Sequence, residues 1–146
     1  MVDKSFKERH LALLQEAQRI ARIGSWERDL RSNALWWSDE CYRLFGYEPG
    51  GIQPSYNLFL QAIHPDDREM VHELNAQSLA FGETHQVDFR VILPNGEVRY
   101  FHNQGQVFLD EQSGQPIRTS GTTQDVTERK QTEAEFRRQA AYLRAI

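Results

Sequence analysis

Apolar and polar side chains alternate along residues 84–93, and this period of two predicts a strand with one buried face. Residues 94–96 follow with the sequence Pro-Asn-Gly, which predicts a tight hairpin turn because Asn and Gly tolerate positive φ. Residues 98–109 and 117–124 are two more β-rich runs. The second half of the chain therefore predicts a meander of three antiparallel strands. The apolar positions of its first strand are Val87, Phe89, Val91 and Leu93.

The N-terminal segment has a helical period instead. Between residues 6 and 23, apolar positions recur at alternating spacings of four and three, as on one face of a coiled coil. Gly24 is predicted to end this helix, since Gly adopts the left-handed cap conformation easily. Residues 26–30 and 34–37 then predict a short β-hairpin. The heptad-like positions of the helix are Phe6, His10, Leu13, Ala17 and Ile20.

Two short helices are predicted after this hairpin. Ser38 or Asp39 is placed to cap a helix that runs to Phe45, and Ser55 is placed to cap another over residues 56–63. In each case a side-chain oxygen can accept a hydrogen bond from an N–H group of the first turn.

The longest internal helix is predicted over residues 65–81. Pro65 suits its first position, and Asp66 and Asp67 suit its first turn, where the helix dipole favours negative charge. Gly82 is predicted to end it. The order β-β-α-α-α-β-β-β, with helices inserted between the second and third strands, predicts an α+β fold. The predicted buried stripe of this helix comprises Met70, Leu74, Gln77 or Ser78, and Phe81.

A charged helix is predicted to follow the last strand directly, starting at Asp125 or Thr127. Asp125 and Glu128 have the spacing of a capping box, with Asp in place of the usual Ser or Thr. Phe136 and Leu143 continue a heptad pattern among charged residues, which is typical of a coiled coil or a solvated helix. A meander that leads straight into a helix suggests a sensor whose sheet is tied to an output.

Composition and charge narrow the function classes. The 146 residues suffice for one domain with flanking helices, and 39% hydrophobic residues support a core. The formal charge of −4 and the lack of a basic stripe argue against a nucleic-acid partner. No run of about 18 apolar residues predicts a membrane span, and the N-terminus lacks a signal-peptide pattern. A cytoplasmic segment without membrane contact is expected, although a parent protein could be anchored elsewhere.

Five short motifs follow one another between residues 20 and 130. They are Gly24-Ser25-Trp26-Glu27, Trp36-Trp37-Ser38 with Phe45-Gly46-Tyr47, Ile63-His64-Pro65-Asp66-Asp67-Arg68, Asn95-Gly96-Glu97-Val98-Arg99-Tyr100, and the segment from Gly121 to Lys130. Together they resemble a PAS domain with its C-terminal PAC segment, of the subtype common in bacterial signalling proteins. The resemblance implies a five-stranded antiparallel sheet with flanking helices. It divides the chain into an N-terminal helix at 1–23, a sensor domain at 24–125 and a signalling helix at 126–146.

The resemblance also implies a function. It favours a non-enzymatic sensory module that passes ligand or partner binding to a histidine kinase or diguanylate cyclase domain. The alternative is a dimerisation and signal-relay spacer that binds no ligand. The chain itself offers no set of nucleophile, base and orienting group for catalysis. A homodimer is expected through Phe6, Leu13, Ala17 and Ile20, and coupling of the sheet to the last helix is expected through Asp125, Thr127 and Glu128.

The aromatic side chains could line a ligand cavity or fill the core outright, and the sequence leaves both interpretations open. The inward face of residues 98–109 is also left open, because Phe101 and Asn103 lie on one face and His102 and Gln104 on the other. The candidates for lining a cavity are Trp37, Cys41, Phe45, Phe59, Phe89, His102, Gln104 and Thr122.

No tightly bound cofactor or metal is expected. His64, Asp66, Asp67 and His72 could be proposed as a metal cluster, but the start of a helix already explains both aspartates. Some haem-binding PAS domains hold iron through a histidine of the long central helix, but His72 lies off the predicted apolar stripe. A photoreactive flavin needs the motif G-x-N-C-R-F-L-Q, which is absent. Cys41 lies in the first short helix, where we expect it to be a small, buried apolar residue.

Overall fold

A computed structural model describes residues 4–146, with the side chains from residue 5 onwards. The elements are α1 Lys4–Ala21, β1 Ile23–Asp29, β2 Leu35–Trp37, α2 Asp39–Leu44, α3 Tyr56–Ala62, α4 Pro65–Phe81, β3 His85–Ile92, β4 Val98–Leu109, β5 Pro116–Asp125 and α5 Thr127–Ala145. The five strands form one antiparallel sheet in the order β2-β1-β5-β4-β3. Helices α2, α3 and α4 are inserted between β2 and β3, which confirms the predicted α+β class.

Strand β5 lies at the centre of the sheet, between β1 and β4. Its register places Thr123 opposite Asn103 of β4 and opposite Gly24 of β1. The predicted meander β3-β4-β5 is confirmed, and its first turn closes through the N–H of Leu93, which donates to the carbonyl of Glu97 at 2.8 Å. Strand β5, which leads into α5, therefore pairs with a strand on each of its sides.

One face of the sheet is covered by α2, α3 and α4, and the core lies there. Phe45 of α2's C-terminal end is central: its ring stacks on Trp37 at 4.7 Å and meets Phe101 edge-on at 5.2 Å, measured between centroids. Phe59 of α3 packs edge-on against Phe89 of β3 at 5.8 Å. The largest fully buried side chains are Phe45, Phe89, Phe101, Ile63, Val71, Val91, Thr123 and Cys41.

The start of β1 differs from the prediction. Helix α1 ends at Ala21 and Arg22 takes the left-handed conformation, with φ of 57°, so the prediction that Gly24 ends the helix was wrong. Gly24 is instead a buried strand residue against α2. A Cβ at this position would lie 2.6 Å from the Cα of Cys41, so the glycine permits the close approach of β1 and α2.

The rotation of α4 also corrects the sequence analysis. Ser38, Ser55 and Gly82 cap α2, α3 and α4 as predicted. However, Met70 and Phe81 of the predicted stripe are 44% and 73% exposed. The inward residues of α4 are Asp67, Val71, Asn75 and Ser78.

Asp67 fixes this rotation. Its carboxylate accepts hydrogen bonds from the backbone N–H of Arg90 at 2.8 Å and from the guanidinium at 3.0 and 2.7 Å, which ties the first turn of α4 to β3. The hydrogen bonds from the Arg90 side chain are the main reason that the pKa of Asp67 lies below its ordinary value. Asp66, one residue earlier, has a 76% exposed side chain.

Replacing Asp67 with Asn should therefore lower the free energy of unfolding by about 1.5–3 kcal/mol, the usual value of hydrogen bonds to a charged group. Asp66→Asn is the matched control, since it removes the same charge from the same helical turn, and it should cost less than about 1 kcal/mol. Urea unfolding monitored by circular dichroism measures both. Equal losses for the two variants would mean that helix-end charge, and not the Arg90 contact, matters here.

Candidate functional site

A cavity lies on the inner face of the sheet, beneath α3 and α4. The empty space between its walls, counted with the open mouth, is about 580 Å³, but the space that the centre of a water molecule can occupy is only about 50 Å³. The cavity is therefore a narrow slot with room for a few water-sized groups. It is lined by Trp26, Arg28, Leu35, Trp37, Phe45, Tyr56, Phe59, Asn75, Ser78, Leu79, His85, Asn103, Thr119 and Thr123.

The polar floor of the cavity comes from β3, β4 and β5. The hydroxyl of buried Thr123 donates to Oδ1 of Asn103 at 2.6 Å. On the α4 side, the hydroxyl of Ser78 donates to the carbonyl of Glu83 and lies 3.1 Å from Nδ1 of His85. Burial lowers the pKa of His85, so this imidazole is neutral at pH 7.

Arg28 lies at the mouth of the cavity. Its guanidinium stacks over the Tyr56 ring at 3.9 Å, and its Nε donates to Oδ1 of Asn33 at 3.1 Å. Burial lowers the pKa of Arg28, although the guanidinium stays charged. The hydroxyl of Tyr56 lies 3.1 Å from Nδ1 of His72 and accepts from Asn75 at 3.3 Å, which holds the ring beneath Arg28.

Trp26 supplies a second unusual group. Its indole Nε1 is buried and has no hydrogen-bond partner among residues 4–146. Buried indole N–H groups in folded proteins are generally paired, because an unpaired buried donor costs about 1–3 kcal/mol. Trp26 and Arg28 are alternate residues of β1 and so share its inner face, a pattern that the sequence analysis did not use.

The structure brings together only part of the predicted cavity set. Trp37, Phe45 and Phe59 line the cavity. Cys41 and Phe89 belong to the adjoining buried core but not to the cavity wall.

The polar candidates require a correction. Phe101 and Asn103 of β4 point inward, so His102 and Gln104 point to the outer face of the sheet, and Thr122 of β5 does the same. The inward polar residues are instead Asn103 and Thr123. Burial of this polar pair could not be predicted from hydrophobicity alone, because the bond between the Thr123 hydroxyl and Oδ1 of Asn103 offsets part of the loss of water.

Cys41 and His72, the residues weighed above for a flavin and a haem, lie outside the cavity wall. Cys41 is fully buried against β1, and burial raises the pKa of its thiol, with the charge of Glu40 adding to the shift, so it is not a reactive thiolate. His72 is exposed on α4 and its Nδ1 faces Tyr56. Among residues 4–146, no three His, Cys, Asp or Glu side chains are grouped as metal ligands.

A second feature is the junction between β5 and α5, centred on Asp125. Its side chain is only 4% exposed. The Nε of Arg99 donates to its Oδ2 at 2.9 Å, and a guanidinium nitrogen of Arg22 lies 3.3 Å from the same oxygen. The other oxygen accepts from the backbone N–H and the hydroxyl of Thr127, at 2.9 and 2.6 Å. Thr127 in turn accepts from the backbone N–H of Tyr100 at 2.9 Å.

This network joins the end of α1, β4, β5 and the start of α5 at one carboxylate. It differs from the predicted capping box, because the helix begins at Thr127 after Val126. The side chain of Glu128 is exposed and makes no hydrogen bond within the described part of the chain. Burial alone would raise the pKa of Asp125, but the hydrogen bonds from Thr127 and Arg99 outweigh it, and the pKa lies below its ordinary value.

Helix α5 is also attached to the outer face of the sheet. The ammonium of Lys130 lies 2.8 Å from Asp88 of β3, whose other oxygen lies 2.5 Å from Nδ1 of His102. His102, predicted as a cavity residue, thus belongs to an ion cluster beside the exit helix. This cluster and the Asp125 network hold the first turn of α5 on two sides.

Both flanking helices present apolar side chains to solvent. Leu13 and Ile20 of α1 are 66% and 75% exposed, and Phe136 and Leu143 of α5 are 71% and 67% exposed. Phe6 and Ala17, also predicted dimer positions, are exposed as well. Between residues 4 and 146, no helix has the length and hydropathy needed to cross a bilayer.

Comparisons with known proteins place this geometry in context. A family model described as PAS fold matches residues 34–123. The sensor protein FixL of Bradyrhizobium diazoefficiens is 35% identical over 125 residues, which cover 85% of this chain and 24% of that protein. A blue-light-activated histidine kinase of Brucella ovis is 31% identical over 116 residues, covering 79% of this chain and 22% of the kinase. The chain thus spans about a quarter of the length of these curated relatives.

A solved structure gives the same picture. The crystal structure of a sensory box histidine kinase/response regulator from Burkholderia thailandensis superimposes with a TM-score of 0.75 and 29% sequence identity. The match covers 91% of this chain and 98% of that one, so the likeness extends beyond the sheet to the flanking elements.

The Asp125 network predicts a pH dependence. Because its folded-state pKa is depressed, Asp125 stabilises the fold above its unfolded-state pKa of about 3.9, and this contribution is lost as the pH falls through the lower folded-state value. At pH 7 the free energy of unfolding of the wild type should therefore be larger than that of Asp125→Asn. This gap between the two proteins should become smaller as the pH is lowered.

Urea unfolding at a series of pH values between 7 and 3 measures this gap. Glu128→Gln is the control, since its exposed carboxylate lies three residues away and outside the network. A gap between wild type and Asp125→Asn that stays constant down to pH 3 would contradict the assigned role of the carboxylate.

Proposed function

The chain belongs to the PAS fold family, and from this premise we propose that it is a sensory module that passes occupancy of its central cavity through the Asp125 junction to an output domain. Sensor proteins and histidine kinases among its relatives support this function. The single observation that carries the relay is the buried carboxylate of Asp125, which contacts the end of α1, β4 and α5 simultaneously.

The relay follows from the position of β5. This strand contributes Thr119 and Thr123 to the cavity and ends at Asp125, two residues before α5 begins. A change in the cavity that moves β5 therefore reaches the helix without an intervening flexible linker. Coupling free energies of allosteric sites are typically about 1–3 kcal/mol, and the hydrogen bonds to one charged group are of the same size.

The output is proposed to be a histidine kinase or diguanylate cyclase domain of a parent protein, and the chain itself is proposed to be non-catalytic. The relatives are several times longer than the matched segment, which leaves room in them for such domains. Asp125 and Thr127 are the proposed coupling residues. Glu128 is not retained in this role, because it lies outside the network.

A ligand-free spacer is the second candidate function. The observation that favours it is the narrowness of the cavity, where only about 50 Å³ is open to the centre of a water molecule. A spacer would use the same junction but would respond to movements of α1 instead of to a ligand. Substitutions that enlarge or fill the cavity would then leave the output unchanged.

The relay can be tested in the parent signalling protein. Asp125→Asn and Thr127→Val should each reduce the stimulus-dependent change in output activity by at least about 5-fold, because each breaks the network while keeping side-chain size. Asp110→Asn is the matched control: this carboxylate also pairs with an arginine and accepts backbone N–H groups, two in its case, but it lies in the turn between β4 and β5. A normal response in both junction variants, with normal thermal stability, would show that the junction is only a connector.

We further propose that α1 forms a homodimer contact through its heptad face. Leu13 and Ile20 expose large apolar side chains on a helix that touches its own sheet mainly through the adjoining β1. Pairing of two such helices would bury these positions, as in a coiled coil.

Deletion of residues 1–21 should convert a dimer into a monomer, measured as molar mass by light scattering. Leu13→Glu with Ile20→Glu should have the same effect without truncation. Glu8→Lys with Arg9→Glu is the control, because it changes charged residues of the same helix outside the heptad positions. A molar mass that none of these changes alters would exclude α1 as the dimer contact.

A further inference from the structure

The cavity wall has an unbalanced charge. Arg28 is its one permanent charge, and no Asp or Glu belongs to the lining. His85 is neutral because burial lowers its pKa, and its Nδ1 is engaged with Ser78. Within residues 4–146 Arg28 has no carboxylate in ion-pair range, and its partners are the Tyr56 ring and the Asn33 amide oxygen. A half-buried cation without a counter-ion favours an anion at this position.

Two residues of the lining carry side-chain donors that no described residue uses. The indole Nε1 of Trp26 is buried without a partner in the described chain. Asn103 uses its Oδ1 to accept from Thr123, which leaves its amide nitrogen without a bond to residues 4–146. A ligand that reaches the Asn103 amide must carry an acceptor atom, and a carboxylate offers two oxygens with about four lone-pair sites.

The apolar side chains of the lining set the shape of an occupant. Trp37 and Phe45 are stacked with an interplanar angle of 11°, and Phe59 meets Phe45 edge-on at 6.2 Å between centroids. The slot is narrow, so it suits a small, thin body rather than a large cofactor. One arginine without a second cation or a helix N-terminus suits a monoanion better than a phosphate dianion.

We propose that the cavity recognises a small organic monocarboxylate, whose carboxylate pairs with Arg28 at the mouth and whose apolar body lies against Trp37, Phe45 and Phe59. This proposal rests on the sensory function proposed above and names the chemical class of its stimulus. Arg28 has free guanidinium nitrogens for a charge-assisted hydrogen bond, since only its Nε is used by Asn33. The Tyr56 ring beneath the guanidinium holds it in place for this contact.

The test compares acids with their neutral amides on the purified chain. Acetate, benzoate and hexanoate are each titrated beside acetamide, benzamide and hexanamide, by isothermal titration calorimetry and by the fluorescence of Trp26 and Trp37. At least one acid should bind at least about 10-fold more tightly than its amide, because only the acid gains the charged contact. Binding of no acid, or equal binding of acid and amide in every pair, would overturn the proposal.

Variants assign the contact to Arg28. Arg28→Gln should weaken binding of the acid about 10-fold while leaving the amide unaffected, and Arg28→Lys should restore part of the loss. Arg118→Gln is a matched control: Arg118 is also a strand arginine over an aromatic ring, Phe108 at 4.2 Å, but it does not line the cavity. Far-ultraviolet circular dichroism checks folding. If Arg28→Gln is folded and binds the acid as wild type does, the proposal is wrong.

This test is separate from that of the sensory function. If no acid binds but the Asp125 variants lose their response, a carboxylate is rejected as the ligand of the cavity, whereas the relay through Asp125 is supported. Tight binding of an acid in a parent protein whose output ignores it would confirm the ligand class and reject the sensory role of the cavity.

Discussion

Much of the site depends on a close crossing of Trp26 over two glycines at the centre of the sheet. Trp26 pairs with Gly121 of β5, which is itself opposite Gly105 of β4. A Cβ at Gly121 would collide with the backbone carbonyl of Gln104, and a Cβ at Gly105 would lie 2.5 Å from the His85 ring and 3.1 Å from Trp26. Gly121 therefore permits the close approach of β5 to β4, and Gly105 leaves room for the indole of Trp26 and the imidazole of His85, which become part of the cavity wall.

The same crossing explains why the inner face can be partly polar. Side chains of β4 and β5 next to the glycines are short, and the hydroxyl of Thr123 donates to Oδ1 of Asn103 instead of to water. A buried polar pair of this kind costs little when its hydrogen bond is made, and it leaves directed groups in the cavity. Phe45, Phe59 and Phe101 fill the neighbouring core with aromatic contacts. Close packing and an open polar slot thus occupy adjacent parts of one sheet face.

Sequence patterns predicted the architecture better than the site. The alternation of residues 84–93, the Pro-Asn-Gly turn and the serine caps are local signals, and local geometry decides them. Local signals do not decide which face of α4 is buried. Met70 and Phe81 are more apolar than Asp67, but the contact of Asp67 with Arg90 turns the Asp67 side of the helix inward, and of the predicted stripe Ser78 is buried. For the same reason the sequence left the inward face of β4 open, and the choice of His102 and Gln104 as cavity residues was wrong, since cross-strand partners decide that face. The sequence did contain one signal for the cavity: Trp26 and Arg28 are alternate residues of a predicted strand, so their side chains lie on the same face of the sheet.

Strand β1 connects the two parts of the molecule. Arg28 lies near its C-terminal end at the cavity mouth, and Arg22, just before its first residue, reaches the Asp125 carboxylate. These two arginines are six residues apart, about 20 Å along an extended strand. Since β1 pairs with β5 from Ile23 to Asp29, a shift of β1 along its axis changes the Arg22 contact and the β5 register together. Under the proposed relay, an anion bound at Arg28 would therefore act on the same strand whose other end carries the Arg22 contact to Asp125, at the start of α5.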